Sequence, residues 1–204
     1  MSRPTKHVQK RTQNTRAKII KAALQCLSRQ GVVESTITRI AKIAKVHHTV
    51  VLYHFPTLES LYLEVIQVLL ESLRSATLQA VEPHAKAPRK ALEAYILAPF
   101  EWAQKNREYF SLWMFFYFLA SHPGSVFREN NNQIRKQGRE RIATFLYQGI
   151  ASKSFKSLSV ANVSELSFQI QSIITGITIQ AGTESDPDFT EAALVAKSVI
   201  FKLL

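Results

Sequence analysis

Along this chain apolar side chains return at intervals of three and four rather than two. That spacing gathers them on one face of an α-helix. Ile19, Ala23, Cys26 and Leu27 make the stripe of a first helix from about Thr15 to Gln30, and Gly31 supplies its stop. Ile37, Ile40, Ala41 and Ala44 do the same for a short second helix, with Thr36 before it as N-cap. A corner at Lys45 and Val46 leads to a third, from about His47 to His54, which Pro56 ends. Thr57 caps a fourth, whose stripe of Leu61, Val65, Val68, Leu69 and Leu73 runs to about Ala80.

The segment from Glu82 to Pro88 breaks the pattern and is the expected domain boundary. Beyond it, helices are expected over about 89–105, 107–121, 126–151, 160–181 and 190–204. Pro99 falls inside the first of these and removes one of its hydrogen bonds. No strand pattern and no long-period repeat stands out. The expected fold is all-α, about nine helices: a basic flexible arm (1–13), a three-helix head (14–56), a connecting helix (57–81) and a helical body (82–204).

Two short helices joined by so tight a corner form a helix-turn-helix, whose second helix enters a DNA major groove. Charge agrees. The net charge is +11, and residues 1–50 carry eleven Lys or Arg against the single acid Glu34, which is +10 of it. A basic domain of this kind attracts a polyanion, and counterion release makes its binding fall with salt. In such a motif the amino-terminal end of the second helix faces base edges, here His47, His48, Thr49 and Val50.

The segment around this corner resembles the DNA-binding domain of TetR-family transcriptional repressors. Ile40-Ala41, Ala44, Val46, Tyr53, His54, Phe55 and Leu61 carry the likeness, with Ile19-Ile20, Ala22-Ala23, Leu24, Leu27 and Gly31 upstream. It covers roughly residues 15 to 70. Lys45 departs from it where the family has glycine, as do Thr49, Val50, Leu52 and Leu58 at neighbouring motif positions. A positive φ at Lys45 would cost about 1 kcal/mol. The resemblance implies that Tyr53 and His54 bind phosphates while Thr36, Thr38 and Arg39 meet the backbone from the second helix. It also implies a body that binds an inducer between its fifth and eighth helices and so releases DNA.

The fifth and sixth helices are rich in aromatics, and every position from Leu112 to Leu119 is apolar or aromatic. A helix apolar all round is expected to be buried on all sides. Aromatic walls with a few polar tips also make small-molecule sites. Tyr95, Phe100, Trp113, Phe116 and Tyr117 are the candidates for an apolar or aromatic ligand; Asn130, Asn131, Gln133 and Arg135 are weaker candidates for polar contacts than for a solvated face. The last two helices are broadly apolar, and Phe168, Ile173, Ile177, Leu194, Ile200 and Phe201 are the candidate homodimer contact. Two-fold symmetry then predicts a palindromic operator in double-stranded DNA.

Other classes find little support. No GxSxG, Gly-rich phosphate loop or metal-ligand spacing is present, and His47, His48 and His54 match no strong ligand pattern, so no enzyme, cofactor or metal is expected. The lone Cys26 reads as core filler in a reducing cytoplasm. The longest apolar run, Leu112–Ala120, is far below the ~20 residues of a membrane helix, and the amino terminus lacks the apolar core of a secretory signal. A DNA binder without a ligand, constitutive or architectural, remains the alternative.

Overall fold

A computed structural model describes residues 6–155 and 158–204, with side chains from residue 10 onward. It contains α1 (Lys6–Gln30), α2 (Ile37–Ala44), α3 (His48–His54), α4 (Leu58–Val81), α5 (Pro88–Lys105), α6 (Arg107–Leu119), α7 (Phe127–Ala151), α8 (Val163–Thr183) and α9 (Phe189–Phe201). Single 3-10 turns precede α5 and α8, and no strand occurs among the described residues.

The chain divides into two compact units, residues 1–69 and 70–204. The division falls within α4, not at the Glu82–Pro88 break. The reason is burial: Leu73, Ala76 and Val81, on the last turns of α4, pack against the body core. The Trp102 indole N–H also donates to Ser72 Oγ at 3.0 Å.

In the first unit, Ile19, Ala23, Cys26 and Leu27 of α1 are buried with Ile40, Ala41, Val51, Phe55, Leu61 and Val65. Gly31 adopts φ +75°, and its N–H donates to the Leu27 carbonyl at 3.0 Å, closing α1 as a residue without Cβ does most cheaply. Buried Ser35 donates to the Gly31 carbonyl (2.7 Å), and Tyr62 of α4 donates to the Ser35 carbonyl (3.2 Å), so the link between α1 and α2 is held from both sides. The basic arm expected over residues 1–13 is not an arm from Lys6 onward: it is the first two turns of α1. Nothing from Lys6 to Gln30 breaks a helix, and polar residues propagate one that the buried turns behind them have already nucleated. The first five residues of the arm lie outside the described set.

In the second unit, Leu92, Ile96, Phe100, Ile142, Leu146, Ile170, Ala196 and Ile200 form the centre of the core. α5 packs chiefly on α9 and α7, and α8 on α7 and α9. α6 is not buried all round. Phe110, Leu112 and Phe116 turn inward while Phe115 (37%) and Phe118 (50%) stay exposed, because the other helices cover only one side of it.

Candidate functional site

The corner of the head follows from backbone chemistry. Thr36 has extended φ/ψ, and its hydroxyl accepts the Arg39 N–H at 3.3 Å, capping α2. Lys45 ends α2 with φ 54° and ψ 47°, the left-handed conformation. The Val46 N–H then reaches back to the Ala41 carbonyl at 3.0 Å. Glycine is the ordinary occupant of such a cap, so the lysine is held there against its own preference. His47 follows in extended conformation, its Nδ1 2.9 Å from Thr49 Oγ1, and α3 begins.

Val51 is fully buried and fixes the rotation of α3. The opposite side of that helix is therefore the open one. His47, His48 and Thr49 are exposed, Val50 is half-buried, and Tyr53 is 80% exposed. So large an exposure removes simple packing as the reason for Tyr53. Thr36, Thr38 and Arg39 on and before α2 are exposed as well. Arg39 is not idle: its Nη1 lies 2.6 Å from Glu34 Oε2 and also donates to the Glu34 carbonyl. His54 is half-buried, and burial, aided by the charge of Arg16, lowers its pKa from the ordinary 6.5. Arg16 itself lies over the Phe55 ring and pairs with Glu64 Oε1 at 2.5 Å.

The body holds a partly open cavity of about 160 Å³, bounded by the second half of α4 and by α5, α6, α7 and α8. Tyr95, Pro99 and Trp102 face it from α5, and Phe110, Trp113 and Tyr117 from α6. Asn131, Ile134, Arg135, Gly138 and Ile142 line it from α7 at helical spacing, and Gln171, Ile174, Thr175 and Thr178 from α8. Gly138 matters by what it lacks. A Cβ there would collide with the Gln171 amide, so the glycine is what admits that amide of α8 against α7; the Tyr95 hydroxyl stands 3.6 Å from the same point. Burial raises the pKa of Tyr95, partly offset by Arg141, and its hydroxyl stays a donor at neutral pH. A wider hollow of about 550 Å³ shares Tyr117, Arg135, Gln171 and Thr175, and adds Arg139 and the α8 residues Phe168 and Gly176.

Of the expected ligand residues, Tyr95, Trp113 and Tyr117 line the cavity, and Phe100 and Phe116 do not. Phe100 is fully buried on the other side of α5, and Phe116 packs on Phe127 with ring centroids 5.4 Å apart. Composition marks both helices as aromatic; only their rotation says which rings face the hollow. Trp102, Phe110, Gly138 and Gln171 were not among the expected site residues. Trp102 and Phe110 stand in the same two aromatic-rich helices, whereas nothing in the sequence distinguishes Gln171 from other polar residues of α8.

The expected dimer residues also separate. Phe168 (59%) and Leu194 (60%) are exposed. Ile200 is fully buried inside its own chain, and Ile173, Ile177 and Phe201 pack against the body core, because α8 spends one face on α7 and α9 spends one on α5. The exposed apolar faces instead carry Phe168 on α8, and Leu194, Val195 and Val199 on α9.

Residues 19–65 match the family described as bacterial regulatory proteins, tetR family. The chain is 24% identical over 179 residues to the HTH-type transcriptional regulator BetI of Burkholderia thailandensis, covering 88% of this chain and 87% of that protein. It is 24% identical over 190 residues to BetI of Burkholderia mallei, covering 93% of each. Among solved structures, a putative TetR-family regulator from a Rhodococcus species superposes with a TM-score of 0.70 at 16% identity, covering 92% of this chain and 97% of that one. The multidrug binding protein EbrR, complexed with imidazole, gives 0.69 at 18%, covering 93% and 94%. These structural likenesses concern the fold; the matched motif lies in the head, where α2, the Lys45 corner and α3 stand. Residues 19–65 are thus a DNA-binding head of the TetR type, and the chain is a DNA-binding transcriptional regulator.

Proposed function

We propose that this protein is a cytoplasmic, homodimeric repressor that leaves a palindromic operator when a small apolar or aromatic molecule enters the body cavity. The observation that carries the reading is the cavity's lining: it includes Leu70 and Leu73 of α4, the helix that continues from the head unit. A ligand's power to switch equals its differential affinity for the DNA-compatible and incompatible states. His47, His48, Thr49 and Val50 are the base-reading residues, with Thr36, Thr38, Arg39, Tyr53 and His54 on phosphates. The exposed apolar residues of α8 and α9 support the homodimer, Phe168 and Leu194 foremost.

The test is protection of the protein's own upstream DNA, near physiological salt and with excess unrelated competitor. A protected palindrome, lost on His48→Ala and Tyr53→Ala, supports the operator reading. Binding erased equally by any competitor, both there and after selection from random DNA, ends it. Sedimentation with Leu194→Glu reads the dimer: a monomer supports the α8–α9 contact, and an unchanged dimer rejects it.

A further inference from the structure

The cavity has a chemical bias that the aromatic walls alone do not reveal. Among its lining residues the one charged side chain is Arg135, and no Asp or Glu is present. The adjoining hollow repeats this: its charged residues are Arg135 and Arg139. Neither guanidinium has an acidic partner among the described residues; Arg135 donates to the Asn132 side-chain oxygen at 2.7 Å. Close to Arg135 on the same face of α7, Gly138 makes room for the Gln171 amide, and the Tyr95 hydroxyl stands near it. Neither of these has a hydrogen-bond partner among the described residues, although both stand at the cavity wall. The remainder of the lining is mainly aromatic and aliphatic.

An apolar chamber with donors and one unpaired cation at one side suits a ligand with an apolar body and an acceptor-rich anionic head. Size suits one ring: a cavity of about 150 Å³ takes a benzene, close to the volume of this partly open cavity. Ring faces alone would also attract a cation. An uncompensated guanidinium at the same chamber opposes one, and a guanidinium holds a carboxylate by paired, charge-assisted hydrogen bonds.

Resting on the reading of this cavity as the effector site, we propose that its ligand is a small monocarboxylate with an apolar body of about one aromatic ring. The carboxylate pairs with Arg135, Gln171 and Tyr95 donate to it, and the body lies against Trp102 and Trp113.

The two tryptophans of the chain both line the cavity, so their fluorescence reads its occupancy. The full chain is titrated with benzoate, benzyl alcohol, benzylamine and toluene. The expected result is saturable quenching by benzoate, at least about tenfold tighter than by benzylamine. Arg135→Gln should weaken benzoate at least about tenfold and benzyl alcohol less than about twofold. Arg135→Lys, which keeps the charge, should recover part of the loss. Benzylamine binding more tightly, benzyl alcohol matching benzoate, or Arg135→Gln weakening acid and alcohol alike would overturn the carboxylate assignment. Quenching by toluene with none by benzoate also overturns it and leaves the effector cavity standing. Quenching by none of the four removes both.

Discussion

Glu34 Oε2 lies 2.6 Å from Arg39 Nη1. The only acid among the first fifty residues is thus spent on a guanidinium expected at the DNA backbone. Exposed pairs of this kind are worth about 0.2–1 kcal/mol, and a phosphate competes with them directly. Glu34→Gln should raise operator affinity about two- to fivefold. A salt titration checks it: the loss of affinity with salt should steepen as one more phosphate contact forms.

Lys45 sits at φ 54°, where a Cβ costs energy and glycine does not. Lys45→Gly should therefore stabilise the protein by about 1 kcal/mol, read from urea denaturation of the two variants. Lys45→Ala, which removes the charge but keeps the Cβ, should bring no such gain. An equal gain from both would place the effect in the charge.

Phe116 and Trp113 are close in α6 and face different things. Phe116 is 4% exposed against Phe127, so Phe116→Ala should cost about 3–5 kcal/mol of stability. Trp113 borders the cavity. Trp113→Ala should cost less and shift the ligand response of operator binding. Thermal melts beside a ligand-release assay separate the two outcomes.

Gly138→Ala offers a quieter probe. Alanine is the better helix former by about 1 kcal/mol, and the atom in its way is the mobile end of Gln171. Stability should hold or rise, while the displaced Gln171 reduces the cavity. Weaker quenching by toluene, with an unchanged or higher melting temperature, is the expected pair of results.

Burial and Arg16 hold the folded pKa of His54 below 6.5. As pH falls, the unfolded chain takes up this proton first. The stability tied to a neutral His54 is full above pH 6.5 and declines below it, levelling off once the folded state also protonates. Urea midpoints compared at about pH 7.5 and 5.5 should fall more for this protein than for His54→Gln. Equal falls would assign the loss to other groups.

The all-α class, the order of the helices and the helix-turn-helix were legible from the sequence. Apolar spacing of three and four, Thr36 as a cap and the stop at Gly31 are local signals that act within a few residues. The strain at Lys45 was raised only by the resemblance, whose glycine stands at this position; the structure supplies the positive φ. Val51 was also legible as the inward residue of α3, and the structure buries it while leaving His47, His48, Thr49 and Tyr53 exposed.

Tertiary structure decided what local signals leave open. Phe116 and Trp113 belong to one aromatic run, yet one packs in the core and the other faces the cavity. The rotation of α6 against α5, α7 and α8 determines which. Ile200 reads like Leu194 in sequence, but α5 covers α9 on the side of Ile200 and leaves Leu194 outside. Arg135, Gln171 and Tyr95 lie on three helices far apart in the chain, and a missing Cβ at Gly138 leaves room for the Gln171 amide beside α7. Helical periodicity determines that a side chain has an inner face. Only the packing of nonlocal helices determines what that face meets.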